Sequence, residues 1–402
     1  MRSSRMIAET IELYETIIGK GFYYLPIHFL IFVVLHISIA LATSRRPIEY
    51  RSLRRGDVRV SVVIAEYGEK PEIFERVMRS VAMNRPDEVI VVHDDGSEEI
   101  AGIARRYGAR VITLGRRVGK KGALAIGWIE ASGDIVVHVD SDTILTEGAI
   151  EEIVKPFDDP RVVGVQGRNM AFRTGSWLAW RLSILIEAGR DLVCRSLGRG
   201  LIVVDGRYNA WRRRYLLEVL GEFLEDRFLG VPTSIGDDRL LTWLAHRRGY
   251  LTAYQPSSVA ITASPPTMRA FIGQQLRWGR SGYLFFIREI YTGTFLRMRA
   301  LYILHLFLYY LSPISFTIAI VHDTILAPPI YNMLGINNIA LSIALAVVGS
   351  SLVSYIRRAV LGLWRVSLKE LLAVGAVGLF ITYPLMIYAM ITVRRQNSWV
   401  TR

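Results

Sequence analysis

Asp134-Ile135-Val136-Val137-His138-Val139-Asp140-Ser141-Asp142 is the stretch that decides the fold of this chain. A short, nearly continuous apolar run rich in β-branched residues and stopped by turn-forming residues reads as a strand buried on both faces. Working outward, Val58 to Ile64, Glu88 to His93, Arg110 to Leu114 and Val162 to Gln166 repeat the pattern. Between them, Pro71 to Met83, Glu98 to Tyr107, Gly122 to Ala131 and Glu147 to Phe157 read as helices. Strand and helix in alternation predict an α/β domain built on a mostly parallel sheet with helices on both faces, spanning residues 57–265. No internal repeat or low-complexity tract interrupts it.

Open parallel sheets bind ligands beyond the carboxyl ends of their strands. Here Glu66 and Glu69 follow the first strand, Asp94 and Asp95 the second, and Asp140 and Asp142 the fourth. Any one pair is explained by a turn or a helix cap. Three pairs converging on one edge are harder to explain by capping. Asp140 and Asp142, one residue apart, suit a hard divalent cation that bridges the oxygens of a bound diphosphate. Gly236-Asp237-Asp238-Arg239 precedes an amphipathic helical pattern, so its acids are either an N-cap or a general base for a sugar hydroxyl. Gln274-Gln275-Leu276-Arg277-Trp278 offers a guanidinium for a diphosphate and an indole face for a sugar ring, or else a plain interfacial anchor.

The 402 residues carry a net charge of +13, and the mean hydropathy is +0.29. Such hydropathy beside 21% charged residues means that the apolar residues are gathered into segments. Phe22 to Thr43, Leu301 to Val321 and Ile339 to Ile356 lack charge, and each is near the roughly 20 residues that cross a bilayer. Many arginines flank these runs, as Arg45, Arg46, Arg51, Arg54, Arg55, Arg357 and Arg358 do. A membrane surface therefore explains the basic charge better than nucleic acid does. The single Cys194 excludes an intrachain disulfide framework and a cysteine-based zinc cluster. The positive-inside rule puts the α/β domain in the cytosol and the amino terminus outside.

In order, DDGS at Asp94, DSD at Asp140, GDDR at Gly236 and QQLRW at Gln274 resemble the processive family 2 glycosyltransferases, the hyaluronan, chitin and cellulose synthases. GDDRLLT and the terminal Trp399-Val400-Thr401-Arg402 look most like the hyaluronan synthase branch. The resemblance implies a GT-A-like domain in which Tyr67, Glu69, Asp94 and Asp95 contact the nucleoside and Lys121 approaches the uridine or phosphate. It further implies that Asp140 and Asp142 bind the nucleotide and its Mg2+ or Mn2+, and that Asp238 is the base. Gln274, Arg277 and Trp278 would sit at the acceptor end and the diphosphate, and Trp399, Thr401 and Arg402 on a loop closing over the donor. Ala65-Glu66-Tyr67-Gly68-Glu69 departs from the family's P-A-Y-N-E, and Val204-Asp205-Gly206-Arg207-Tyr208-Asn209 stands where hyaluronan synthases carry a cysteine-containing acceptor loop.

The expected organisation is an amphipathic surface helix (1–20), a first span (21–44), the cytosolic domain (57–265) and interfacial helices carrying QQLRW (266–297). Second and third spans follow (299–322 and 337–356), then interfacial or re-entrant helices (359–393) and a cytosolic tail (394–402). Arg365 and Lys369 before the last apolar run, Arg394 and Arg395 after it, and Pro384 within it favour a kinked or re-entrant pair over a plain crossing. The expected function is an inverting transfer from a nucleotide-sugar donor to a glycan or lipid-linked acceptor at the cell membrane, in contact with membrane lipids and not with nucleic acid. The alternatives are a non-processive transferase acting on a lipid carrier and a membrane protein that only binds an anion.

Overall fold

β1 (Val60–Glu66) and β4 (Ile135–Val139) are buried at every position but one in the first and throughout the second, which requires cover on both faces of the sheet. The structure is a computed structural model and describes residues 34, 38–44, 48, 50, 55–93, 97–321, 347–348, 351–352, 355–356 and 367–395. The described parts of Ala40–Leu306 and Tyr388–Arg402 form one compact unit, and those of Met1–Ile39 and Phe307–Ile387 a second.

In the first unit, β1 pairs in parallel with β2 (Glu88–His93) and with β4, and β2 in parallel with β3 (Arg110–Thr113). The sheet has eight strands in the order β3-β2-β1-β4-β7-β6-β10-β5. Its second half is where the sequence reading stops short. β7 (Tyr208–Arg212) runs antiparallel to both β4 and β6 (Val162–Phe172), and the long β10 (Leu251–Ala263) pairs in parallel with β6. β5 (Thr143–Leu145) closes the edge against β10. A separate hairpin joins β8 (Arg227–Phe228) to β9 (Val231–Pro232).

The helices follow from patterning. α1 (Pro71–Met83) opens on proline, whose missing N–H costs nothing in a first turn. α2 (Glu98–Arg106) is capped by Ser97, with acids in its first turn and arginines in its last. α3 (Gly119–Glu130) lies hard on β1, since a Cβ at Gly127 would come 2.3 Å from Val63 Cγ1. α4 (Ala149–Val154), α5 (Trp177–Leu197), α6 (Arg213–Glu218), α7 (Leu220–Leu224), α8 (Asp237–Arg247) and α9 (Met268–Thr292) complete the unit.

α10 (Ala300–Val321) occupies the expected second span, and its stretch Ala300–Ser315 is apolar. α11 (Leu368–Ile391) differs from the expected kinked pair. It is one 24-residue helix with an 18-residue window of mean hydropathy 2.0, long and apolar enough to cross a membrane. Its irregularity is a π-helical turn, Gly378–Thr382, which lies just before Pro384 and accommodates a residue that cannot donate to the ladder. The expected surface helix, most of the first and third spans, and the tail from residue 396 lie outside the described residues.

Candidate active site

The carboxyl ends of β1 and β4 meet through a short relay. Glu66 is buried and accepts from the Glu69 N–H at 2.8 Å, while its other oxygen lies 2.5 Å from His93 Nδ1 at the end of β2. Ser141 Oγ in turn donates to Glu69 Oε2 at 3.3 Å. Glu69 is thereby held against the Asp140–Asp142 turn, while Tyr67 stays exposed with the Arg117 guanidinium 4.0 Å from its ring centroid. Asp94 and Asp95 lie outside the described residues, as do Trp399, Thr401 and Arg402.

The two lysines at the start of α3 separate. The helix begins at Gly119 rather than Gly122, so Lys120 and Lys121 fall about 100° apart around its first turn and face different partners. Lys120 Nζ lies 2.6 Å from Asp140 Oδ1 and 3.9 Å from Asp237 Oδ2. Burial opposes its charge, but Asp140, Asp237 and Asp238 outweigh that and hold the ammonium protonated. Lys121, the residue singled out from the sequence, instead donates to the Thr233 carbonyl at 3.2 Å and faces the Phe223 ring. The sequence signal that distinguishes the two is helical phase, legible only once the helix start is known.

Asp237 and Asp238 open α8. Gly236 before them has φ +77°, and a Cβ there would lie 2.2 Å from Ser281 Oγ, so the turn into the helix accepts only glycine. Asp238 Oδ1 accepts from the Arg239 N–H at 2.7 Å and Oδ2 from the Gly206 N–H at 3.2 Å. Burial first, then the charges of Asp237 and Asp205, push its carboxyl up to about 6, a value suited to a base near neutral pH. Burial likewise raises Asp140, with Asp142 and Asp237 adding to it against Lys120. His138 is not a competing acid or base. It accepts from Trp128 Nε1 at 2.7 Å, and burial pulls it down to about 3, so it stays neutral.

α9 brings Gln274, Arg277 and Trp278 to one face by their three- and four-residue spacing. The mostly buried Arg277 is drawn below its ordinary value by burial, against the opposing pull of Asp237, Asp140, Asp238 and Asp142. One guanidinium therefore shares an electrostatic neighbourhood with four carboxylates from β4 and α8. Trp278 does not present a bare apolar face. The Arg190 guanidinium lies 4.3 Å and that of Arg207 5.4 Å from its ring centroid. Arg190 and Glu187 on α5 were not legible as site residues, and Asp205 and Arg207 stood out only as part of the segment that replaces the family's acceptor loop, because the four meet only when α5 packs beside the segment entering β7.

A family model described as glycosyltransferase like family 2 matches residues 58–281. The chain belongs to that family. The transferase is 29% identical over 254 residues to an N-acetylglucosaminyltransferase of Rhizobium meliloti (strain 1021), covering 60% of this chain and 59% of the relative. It is 32% identical over 248 residues to a hyaluronan synthase of Streptococcus pyogenes, covering 58% of each. The chain thus spans less than two thirds of the length of these curated relatives. Among solved structures it is similar to the mannosyltransferase PcManGT from Pyrobaculum calidifontis in complex with GDP-Man and Mn2+. There the TM-score is 0.58 at 18% identity, over 89% of this chain and 99% of that one. The likeness is one of fold, and the glycosyltransferase has the mixed, mostly parallel sheet of the GT-A arrangement.

Asp140 and Asp142 fit a divalent cation by the chemistry of their donors. They are hard oxygen ligands in a place where burial first, and then the charges of Asp142 and Asp237, raise Asp140. Among the described residues no cluster of three or more His, Cys, Asp or Glu is arranged to hold a metal. The protein would supply two carboxylates, leaving further positions to phosphate and water, as Mg2+ sites commonly do.

Proposed function

We propose that this glycosyltransferase is a membrane-embedded, inverting enzyme that transfers a sugar from a UDP-sugar to a growing polysaccharide. The observation that carries this reading is the gathering of Asp238, Arg277, Lys120 and Asp140 into one charged site at the strand ends. In the reaction the acceptor hydroxyl gives its proton to Asp238 while its oxygen forms the new bond to the anomeric carbon. The bond from that carbon to the diphosphate oxygen breaks, and its electron pair leaves with the nucleoside diphosphate. Arg277 and Lys120 bring positive charge to the side where negative charge develops. A cation held by Asp140 and Asp142 would supply Lewis-acid neutralisation of the diphosphate. Tyr67, Glu69, Asp94 and Asp95 serve the nucleoside, and Trp399, Thr401 and Arg402 close over it; the link of Glu69 to Ser141 supports the first of these roles.

The test is a panel of nucleotide sugars given to purified protein in lipid, with released nucleoside diphosphate and product length both read. UDP-sugar turnover with products many units long is expected. Single additions to a lipid acceptor, or turnover confined to another nucleotide, would replace the reading.

Topology has its own support. Arg280 Nε on α9 donates to Thr392 Oγ1 at 3.1 Å, and both residues belong to the catalytic unit. This bond supports a carboxyl end of α11 on the catalytic side, which is where a tail that reaches the donor must begin. With Cys194 changed to Ser, Ser398→Cys should resist a membrane-impermeant thiol reagent in intact cells and react after lysis. Reaction from outside would strand the tail away from the site and overturn its role.

A further inference from the structure

We infer that the turn Asp205-Gly206-Arg207 positions the base Asp238 relative to the Asp140 strand end, with Arg207 as the positioning residue; this rests on Asp238 being the base. The turn touches both places with its backbone. The Gly206 N–H donates to Asp238 Oδ2 at 3.2 Å, and the Gly206 carbonyl lies 3.5 Å from Lys120 Nζ, the ammonium that binds Asp140. The Arg207 carbonyl accepts from the Asp140 N–H at 2.9 Å. One short segment therefore fixes the distance between the proton acceptor and the carboxylate of the donor side.

Side chains fix the turn itself. Arg207 makes two parallel bonds of 2.9 Å to the Glu187 carboxylate on α5 and further bonds of 2.8 and 2.7 Å to Asp205. Arg190 adds 2.8 Å to the same Asp205. Glu187 and Asp205 are both buried. A buried ion network of this kind is a weak source of stability compared with apolar packing, because desolvation offsets most of its attraction. What it does supply is a turn whose geometry is over-determined, next to the group whose placement matters most. The same two arginines face Trp278, so the network that sets the base also borders the acceptor-side indole.

Gly206 makes a direct probe possible. Its φ is not in the left-handed region, so alanine there strains no backbone. What a Cβ would meet is Asp238, at 3.2 Å from Cβ and 3.5 Å from Oδ2. The charges facing Asp238 are Asp237 on its own helix, Asp205 on the turn, Lys120 on α3 and Arg277 on α9.

The experiment uses the full chain in lipid, with kcat, donor KM, nucleoside diphosphate binding and the pH profile of kcat all measured. Gly206→Ala is expected to lower kcat on the order of tenfold with donor KM within about twofold, since sub-ångström misplacement acts on the chemical step. Arg207→Gln leaves Asp205 less neutralised and should move the acidic limb of kcat to higher pH. Asp205→Asn removes a carboxylate that raises the base and should move it lower, and Arg207→Lys should restore part of the wild-type profile. A purely structural network would reduce the folded fraction and leave the limb in place. If Arg207→Gln does not fold, Gly206→Ala, which removes no buried partner, decides alone. Unchanged kcat in Gly206→Ala, or limbs that coincide in all folded variants while Asp238→Asn is inactive, overturns the positioning role. Retained turnover in Asp238→Asn would instead overturn the assignment of the base.

Discussion

Asp238→Asn is expected to lower kcat by about 10² to 10⁴, the range for loss of a positioned base, while nucleoside diphosphate still binds. The substitution keeps the side chain's size and leaves one oxygen, which can accept from either the Arg239 or the Gly206 N–H, while the amide NH2 faces the other. What it removes is the capacity to take a proton. The wild-type pH dependence follows from the same environment. In the proposed role of base, a carboxyl pushed up to about 6 by burial and by Asp237 and Asp205 works only when ionised, so kcat/KM should fall as pH drops through that value. The limb should vanish from the residual rate of the Asn variant. Ordinary turnover in that variant, or an unmoved acidic limb, would show that another group accepts the proton.

The parallel half of this fold was legible because its strands are apolar on both faces. Glu88 to His93 and Pro71 to Met83 are observed at the bounds read from the sequence. The other half was hidden by local signals that tertiary pairing overrides. β7 contains Asn209, a poor strand former that is buried and donates to the Asp205 carbonyl at 2.8 Å. β10 carries Pro256-Ser257-Ser258, which reads as a break, and its register with β6 does shift between Gln255 and Val259 before pairing resumes. The site divides in the same way. Carboxylates that follow strand ends, Asp140 and Asp142, can be found from sequence because topology sends every such end to one edge. Arg190 and Glu187 cannot, because nothing local to α5 says which loop it will meet, and Arg207 showed only as part of a segment departing from the family's acceptor loop. Lys120 differs from Lys121 only by rotation about a helix whose first residue the pattern misplaced.

Chelation by excess EDTA is expected to abolish turnover, and Asp142→Asn to lower it by about 10² or more, with weaker donor binding in both cases. The argument is one of charge. Asp237, Asp140, Asp238 and Asp142 all act on Arg277, and Lys120 binds Asp140 and lies 3.9 Å from Asp237. Four carboxylates crowd the place to which an anionic diphosphate must come, and burial amplifies every one of these interactions. A cation would offset that repulsion for an arriving donor, and Asp140 and Asp142 are the acids suited by spacing to hold it. Removing one carboxylate reduces the repulsion of the diphosphate but loses the ligand, so the two effects oppose each other in metal-free binding. Calorimetry separates them. In EDTA, Asp142→Asn should bind nucleoside diphosphate no more weakly than wild type, whereas in Mn2+ wild type should gain affinity and the variant should gain much less. Equal gains in Mn2+, or full turnover in EDTA, would remove the cation from Asp142.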